Sequence, residues 1–136
     1  MTRRPVASLA AGAAVVMALV GLAGCGDGDD AAAPPSTAEL SPAAREGATL
    51  ATDLGCNACH SVDGGGSTGP GWVGLAGSEV ELEGGQTVVA DRAYLEQAIR
   101  DPRSQVRAGY ANIMPTTYEL TDDEVEALIA YIEALG

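Results

Sequence analysis

Three stretches of the chain repeat apolar residues at helical spacing, and they frame the rest. Leu40, Ala44, Gly47, Ala48, Ala51 and Leu54 recur every three or four positions, which places them on one face of an α-helix. Ser41-Pro42 opens that run: the serine oxygen can accept amides of the first turn, and proline there forfeits no hydrogen bond. The helix is predicted to stop at Gly55. Its apolar face is built of small residues, and Gly47 in mid-helix costs ~1 kcal/mol relative to alanine. Close approach of another helix is the expectation there, with a merely tolerated glycine as the plainer alternative. A second stripe, Tyr94, Leu95, Ala98 and Ile99, is capped by Asp91 and ended by Asp101-Pro102. The third comprises Val125, Leu128, Ile129, Ile132 and Leu135, with Tyr131 beside it. It begins at Thr121-Asp122-Asp123-Glu124, a capping box with acids where the helix dipole is positive. This last helix should cross the first near Gly47.

The stretches between these helices carry different signals. Ser61 to Gly77 is so dense in glycine, with Gly64-Gly65-Gly66 and Gly69-Pro70-Gly71, that it reads as a loop lying against something flat. From Glu79 to Ala90 apolar and polar residues alternate around Gly84-Gly85, the pattern of a β-hairpin inserted on the helical frame. Its glutamates, Glu79, Glu81 and Glu83, read as a solvated face rather than a metal site. Arg103 to Leu120 is long and irregular, which marks functional or disordered segments.

The first forty residues do not belong to this frame. Arg3-Arg4 precedes an apolar run from Pro5 to Leu22, too short and weakly flanked for a permanent transmembrane helix. Residues 1–24 therefore read as a signal peptide. Leu22-Ala23-Gly24-Cys25 resembles the lipobox of bacterial lipoproteins, which implies lipidation at Cys25; the alternative is an ordinary signal that leaves Cys25 as a stray thiol. After Cys25, residues 26–39 are Gly, Asp, Ala, Pro, Ser, Thr and a final Glu with little to bury, so 25–39 reads as an acidic disordered tether. The folded domain is then 40–136, near the size at which a polypeptide core alone is marginal. Beyond the signal peptide, five arginines and no lysine face nineteen acids, a formal balance of −14. Nucleic acid is excluded as a partner by such a surface.

Gly55-Cys56-Asn57-Ala58-Cys59-His60 carries the chemistry. Two thiols three positions apart with an imidazole directly after them form the c-type haem attachment signature: each thiol adds to one vinyl group, and the histidine then lies under the ring. Cys56 and Cys59 are expected to carry one haem c covalently, with His60 as the proximal iron ligand. A structural zinc site would want four ligands, yet His60 is the only histidine and Cys25 the only other cysteine. A thioredoxin-like pair would want a strand-helix-strand frame, and a Cys56–Cys59 disulfide would leave His60 unexplained. With no second imidazole available, Met114, the only methionine beyond the signal peptide, is the distal ligand read from the residues; a methionine filling a core gap is the plainer alternative. Trp72 either meets the porphyrin edge or a propionate, or simply packs in the core.

A helix, Cys56-Asn57-Ala58-Cys59-His60, Gly69-Pro70, Met114-Pro115 and a final amphipathic helix together resemble class I cytochrome c. Gly77-Ser78-Glu79-Val80, Tyr94-Leu95, Asp101-Pro102, Gly109-Tyr110 and Met114-Pro115 look more closely like the cytochrome c domain fused to subunit II of some bacterial haem-copper oxidases. The resemblance implies an all-α cytochrome c fold with crossed terminal helices, a middle helix, haem-packed loops and the small β-hairpin. It implies that the Pro70 carbonyl accepts a bond from His60 and that Tyr110 joins Trp72 at the cofactor. No copper domain or membrane helices precede the domain here, so a free-standing, lipid-tethered version is expected, at the outer face of the cytoplasmic membrane. The function implied is single-electron transfer in a respiratory chain by a monomeric carrier that is not itself an enzyme. Its donor would be a quinol-oxidising complex and its acceptor a terminal oxidase. The alternatives are a fixed haem subunit of an oxidase or dehydrogenase and, with an open iron position, a haem peroxidase or gas sensor.

Overall fold

The computed structural model describes residues 39–65 and 67–136. The signal peptide, Cys25 and the tether up to residue 38 lie outside the described residues. All described residues fall in one compact unit, and none of their helices is long and apolar enough to cross a membrane.

Helix α1 spans Pro42–Asp53, with the Ser41 hydroxyl accepting the Ala44 amide at 3.1 Å. The small-residue face is the one it buries, through Ala44, Gly47 and Ala51. Helix α3, Asp122–Ala134, closes its capping box as the residues demand: Thr121 Oγ1 accepts from Glu124 N at 3.3 Å, and Glu124 Oε2 accepts from Thr121 N at 2.8 Å. The Thr121 amide, and the Thr121 hydroxyl donating to the same Glu124 oxygen at 2.7 Å, hold the Glu124 carboxyl below the usual carboxylate range. The two helices cross at Gly47. A Cβ built there would fall 2.0 Å from the carbonyl oxygen of Ala127 and 2.9 Å from the Cβ of Tyr131. Only glycine admits that approach. Ile129 and Val125, both 1% exposed, sit in the core behind the crossing, and Leu40 and Leu135 extend it.

Thr121 tests how much α3 owes to its cap. Thr121→Ala removes one side of the capping box and is expected to cost ~1 kcal/mol, read as a lower denaturant midpoint of the matured protein at unchanged slope. An unchanged midpoint would show the cap to be energetically idle.

The hairpin is also as the alternation requires. Strand β1, Glu79–Glu81, pairs antiparallel with β2, Thr87–Val89, in the register Glu79 with Val89, Val80 with Val88 and Glu81 with Thr87. Val80 is buried while Glu79 and Glu81 face solvent. The hairpin's other edge is covered by residues 106–108, which the alternation did not announce. Glu83 N donates to Val106 O and Ala108 N to Glu81 O, both at 2.8 Å, with a bridge between Leu82 and Arg107. Covering an edge strand in this way removes a template for unwanted pairing.

Helix α2, Arg92–Arg100, starts where the Asp91 carboxylate accepts the Tyr94 amide at 2.8 Å. Tyr94 and Leu95 are buried, and Ala98 and Ile99 half-buried. Arg92 reaches Glu133 at 2.7 Å and also pairs with Glu126, while Arg100 reaches Asp122 at 2.6 Å. These pairs tie α2 to α3, but all are solvent-exposed, so each contributes only ~0–1 kcal/mol. Apolar contact, not charge, sets the three-helix frame.

Candidate functional site

The haem attachment motif sits where α1 ends. Gly55, left-handed at φ 75°, turns the chain out of the helix into a single 3-10 turn over Cys56–Ala58. The amides of Cys59 and His60 both donate to Cys56 O, at 3.1 and 3.0 Å, so the motif is wrapped tightly about one carbonyl. Both cysteines lie on the wall of one cavity, Cys56 half-buried and Cys59 exposed. Burial pushes the Cys56 thiol up, against a smaller opposing effect of the backbone.

The glycine-rich loop packs against the histidine. Gly69 N donates to Cys59 O at 2.7 Å, and a Cβ at Gly69 would come within 2.8 Å of His60 Cε1. Glycine is therefore required for the loop to lie against the ring. That approach brings Pro70 O to 2.7 Å from His60 Nδ1. Burial lowers the imidazole's pKa, while the Pro70 carbonyl pulls it the other way. A neutral ring that donates Nδ1–H to Pro70 keeps its Nε2 lone pair for a metal. Trp72 stacks on the same ring, centroids 5.2 Å apart and planes 21° apart, and meets the ring of Tyr131 of α3 at right angles, centroids 6.0 Å apart. At 7% exposure Trp72 is a core residue, and it also lines the cavity.

The rest of the cavity wall comes from every part of the frame: Leu95, Ala98 and Ile99 of α2, Leu128 and Ile132 of α3, and Tyr110, Met114 and Tyr118 of the irregular segment. Cys56, Cys59, His60, Pro70, Trp72, Tyr110 and Met114, scattered over the sequence, are thus brought to one enclosure. Three wall residues carried no signal in the sequence. Tyr118 donates its hydroxyl to Leu54 O at 3.1 Å. Arg107 is the one charged side chain on the wall, with its guanidinium carbon 5.8 Å from the Tyr110 ring centre. Gln105 has a buried amide oxygen without a partner. An arginine or glutamine in an irregular segment has no period to betray it; only the arginine's position after Asp101-Pro102 could have drawn notice.

These residues fit a haem. The wall is overwhelmingly apolar, the Cys56 and Cys59 sulfurs stand beside an imidazole whose Nδ1 already has the Pro70 carbonyl, and a buried amide oxygen awaits a polar partner. The competing zinc reading finds no third ligand: among the described residues no group of three or more His, Cys, Asp or Glu converges.

Comparison with known proteins agrees with the geometry. The family model for cytochrome c matches residues 44–136. The "Cytochrome c oxidase subunit 2" of Alkalihalophilus pseudofirmus is 34% identical over 93 residues, covering 68% of this chain and 25% of that protein. The chain thus spans about a quarter of that relative's length. With the attachment motif, the apolar enclosure around it and a family match that runs through both, the chain belongs to the cytochrome c family and carries one haem c covalently on Cys56 and Cys59.

Proposed function

We propose that this electron-transfer domain is a membrane-tethered carrier that passes single electrons along a respiratory chain toward a terminal oxidase. One observation carries the reading: His60 and Met114 line a single cavity whose only charged side chain is Arg107. Among the described residues no carboxylate or second imidazole stands on that wall, which favours electron transfer over acid–base turnover of a substrate. When bound, the haem supplies a one-electron ferric/ferrous couple. The protein's part is to hold it. His60 Nε2 and the Met114 sulfur would hold its iron, and the Pro70 carbonyl, 2.7 Å from His60 Nδ1, would fix the imidazole plane and make the ring a stronger donor. Leu95, Ile99, Leu128 and Ile132 exclude water, which keeps the reorganisation accompanying each electron small. Trp72 and Tyr110 line the same cavity and would pack against the cofactor. Cys25 carries the lipid, and residues 26–39 let the domain move over the membrane surface.

The name of the oxidase subunit relative favours a second reading, in which the domain is a fixed haem subunit of an oxidase. Extraction of membranes in mild detergent separates the two. A carrier runs as a monomer, whereas a fixed subunit co-purifies with copper-containing partners. The same preparation tests the axial assignment: the reduced protein should not bind carbon monoxide, and peroxide should not be turned over. Rapid binding with turnover would move the protein to the peroxidases or sensors.

A further inference from the structure

The segment that carries Met114 is held to the domain at very few points. Among the described residues, no backbone amide from Met114 to Leu120 donates a hydrogen bond to the chain. At its start Ile113 N donates to Ala111 O at 2.9 Å, a bond internal to the loop, and at its end the Arg100 guanidinium reaches Leu120 O only at 3.5 Å. Between these lies one well-formed tie to another element, from the Tyr118 hydroxyl to Leu54 O at 3.1 Å. Tyr118 is half-buried and its ring lines the haem cavity. Leu54 caps α1 directly before Gly55-Cys56, so its carbonyl belongs to those a helix end leaves without an intrahelical partner. Tyr118 satisfies it across 64 positions of sequence.

We propose that the Tyr118 hydroxyl is a latch that positions Met114: it clips the methionine loop to the end of α1 that bears the haem attachment motif, and so limits how often the sulfur leaves the iron. This rests on Met114 being the distal ligand. Tyr118 is a positioning residue and touches no reacting atom. The latch acts on the equilibrium between a closed loop and an open one. An external ligand binds only the open form, so its apparent affinity is the intrinsic one multiplied by the open fraction. Removing the hydroxyl while keeping the ring deletes one hydrogen bond from the closed state alone, because in the open state water serves both groups. No internal competitor obscures the readout, since the chain has no lysine and no histidine besides His60.

The test is imidazole binding to the matured ferric protein, followed through loss of the far-red sulfur-to-iron charge-transfer band, in the parent, Tyr118→Phe, Met114→Ala and Leu40→Ala. Leu40, 5% exposed and beside the opposite end of α1, is a control for general destabilisation. Tyr118→Phe should keep the band at rest yet bind imidazole roughly five- to tenfold more tightly, the effect of one lost net hydrogen bond. Leu40→Ala should bind it as the parent does, despite the larger loss of stability. The latch is overturned if Tyr118→Phe binds imidazole like the parent, or if Leu40→Ala tightens binding as much. A band present in the parent and lost in Met114→Ala, with Tyr118→Phe indifferent, removes the latch and leaves the ligand standing. A parent without the band removes both.

Discussion

Gly47→Ala should lower the melting temperature of the matured protein by about 10 °C, although alanine is the better helix former. The two effects have opposite signs and their sizes decide the outcome. Helix propensity favours the substitution by ~1 kcal/mol. Against it, the new methyl carbon would lie 2.0 Å from Ala127 O, 2.6 Å from Ala127 C and 2.9 Å from Tyr131 Cβ. Two of those three atoms are backbone of α3, so no rotamer change relieves the overlap and the helix itself must lift. Overpacking of that kind costs roughly 1–3 kcal/mol, more where the obstacle is backbone, which leaves a net loss of ~2 kcal/mol after the propensity gain. The damage reaches the site, because α1 delivers Cys56 and α3 delivers Leu128 and Ile132 to the same cavity. Differential scanning calorimetry gives the sign directly. A rise in melting temperature would mean that the helices do not meet at Gly47, and would undo the account of why α1 has a small-residue face.

That crossing was legible because its signals are local. Ser41, Asp91 and Thr121 each cap a helix through a bond spanning three residues, and each was marked by residue type alone. Gly84-Gly85 between alternating runs marked the hairpin, and the spacing Cys56, Cys59, His60 marked the attachment site without any structure. Met114 was singled out by elimination, since the chain has no second histidine and no other methionine after Met17, and the fold places it on the cavity wall. The misses share a physical cause. Residues 106–108 cover the hairpin edge through main-chain groups, which any sequence possesses. Tyr118 bonds to a backbone carbonyl on another helix, so neither partner's identity announces the other. The stacking of Trp72 on His60 depends on the Gly69-Pro70 turn carrying the chain back beneath the ring, a matter of loop geometry rather than of period.

Met114→Ala should abolish the weak far-red charge-transfer band of the ferric protein and drop its midpoint potential by on the order of 0.2 V, within the ~0.8 V that axial ligands command. The direction follows from donor chemistry. A thioether is neutral and soft, so it stabilises the ferrous state more than the ferric and holds the potential up. Alanine offers no donor, and the chain has no second histidine, no lysine and no other methionine after Met17 to take its place. The position would pass to solvent, whose harder oxygen favours the ferric state. Protein stability should fall less than the potential suggests, because Met114 is only half-buried and contributes little to the core. A spectroelectrochemical titration of parent and variant therefore separates a ligand from a packing residue, since a methionine that merely fills space would shift the melting temperature and leave band and potential where they were. Retention of the band in Met114→Ala would assign it to another donor. Its absence from the parent would leave the sixth position open and turn the protein from carrying electrons toward binding or activating small molecules.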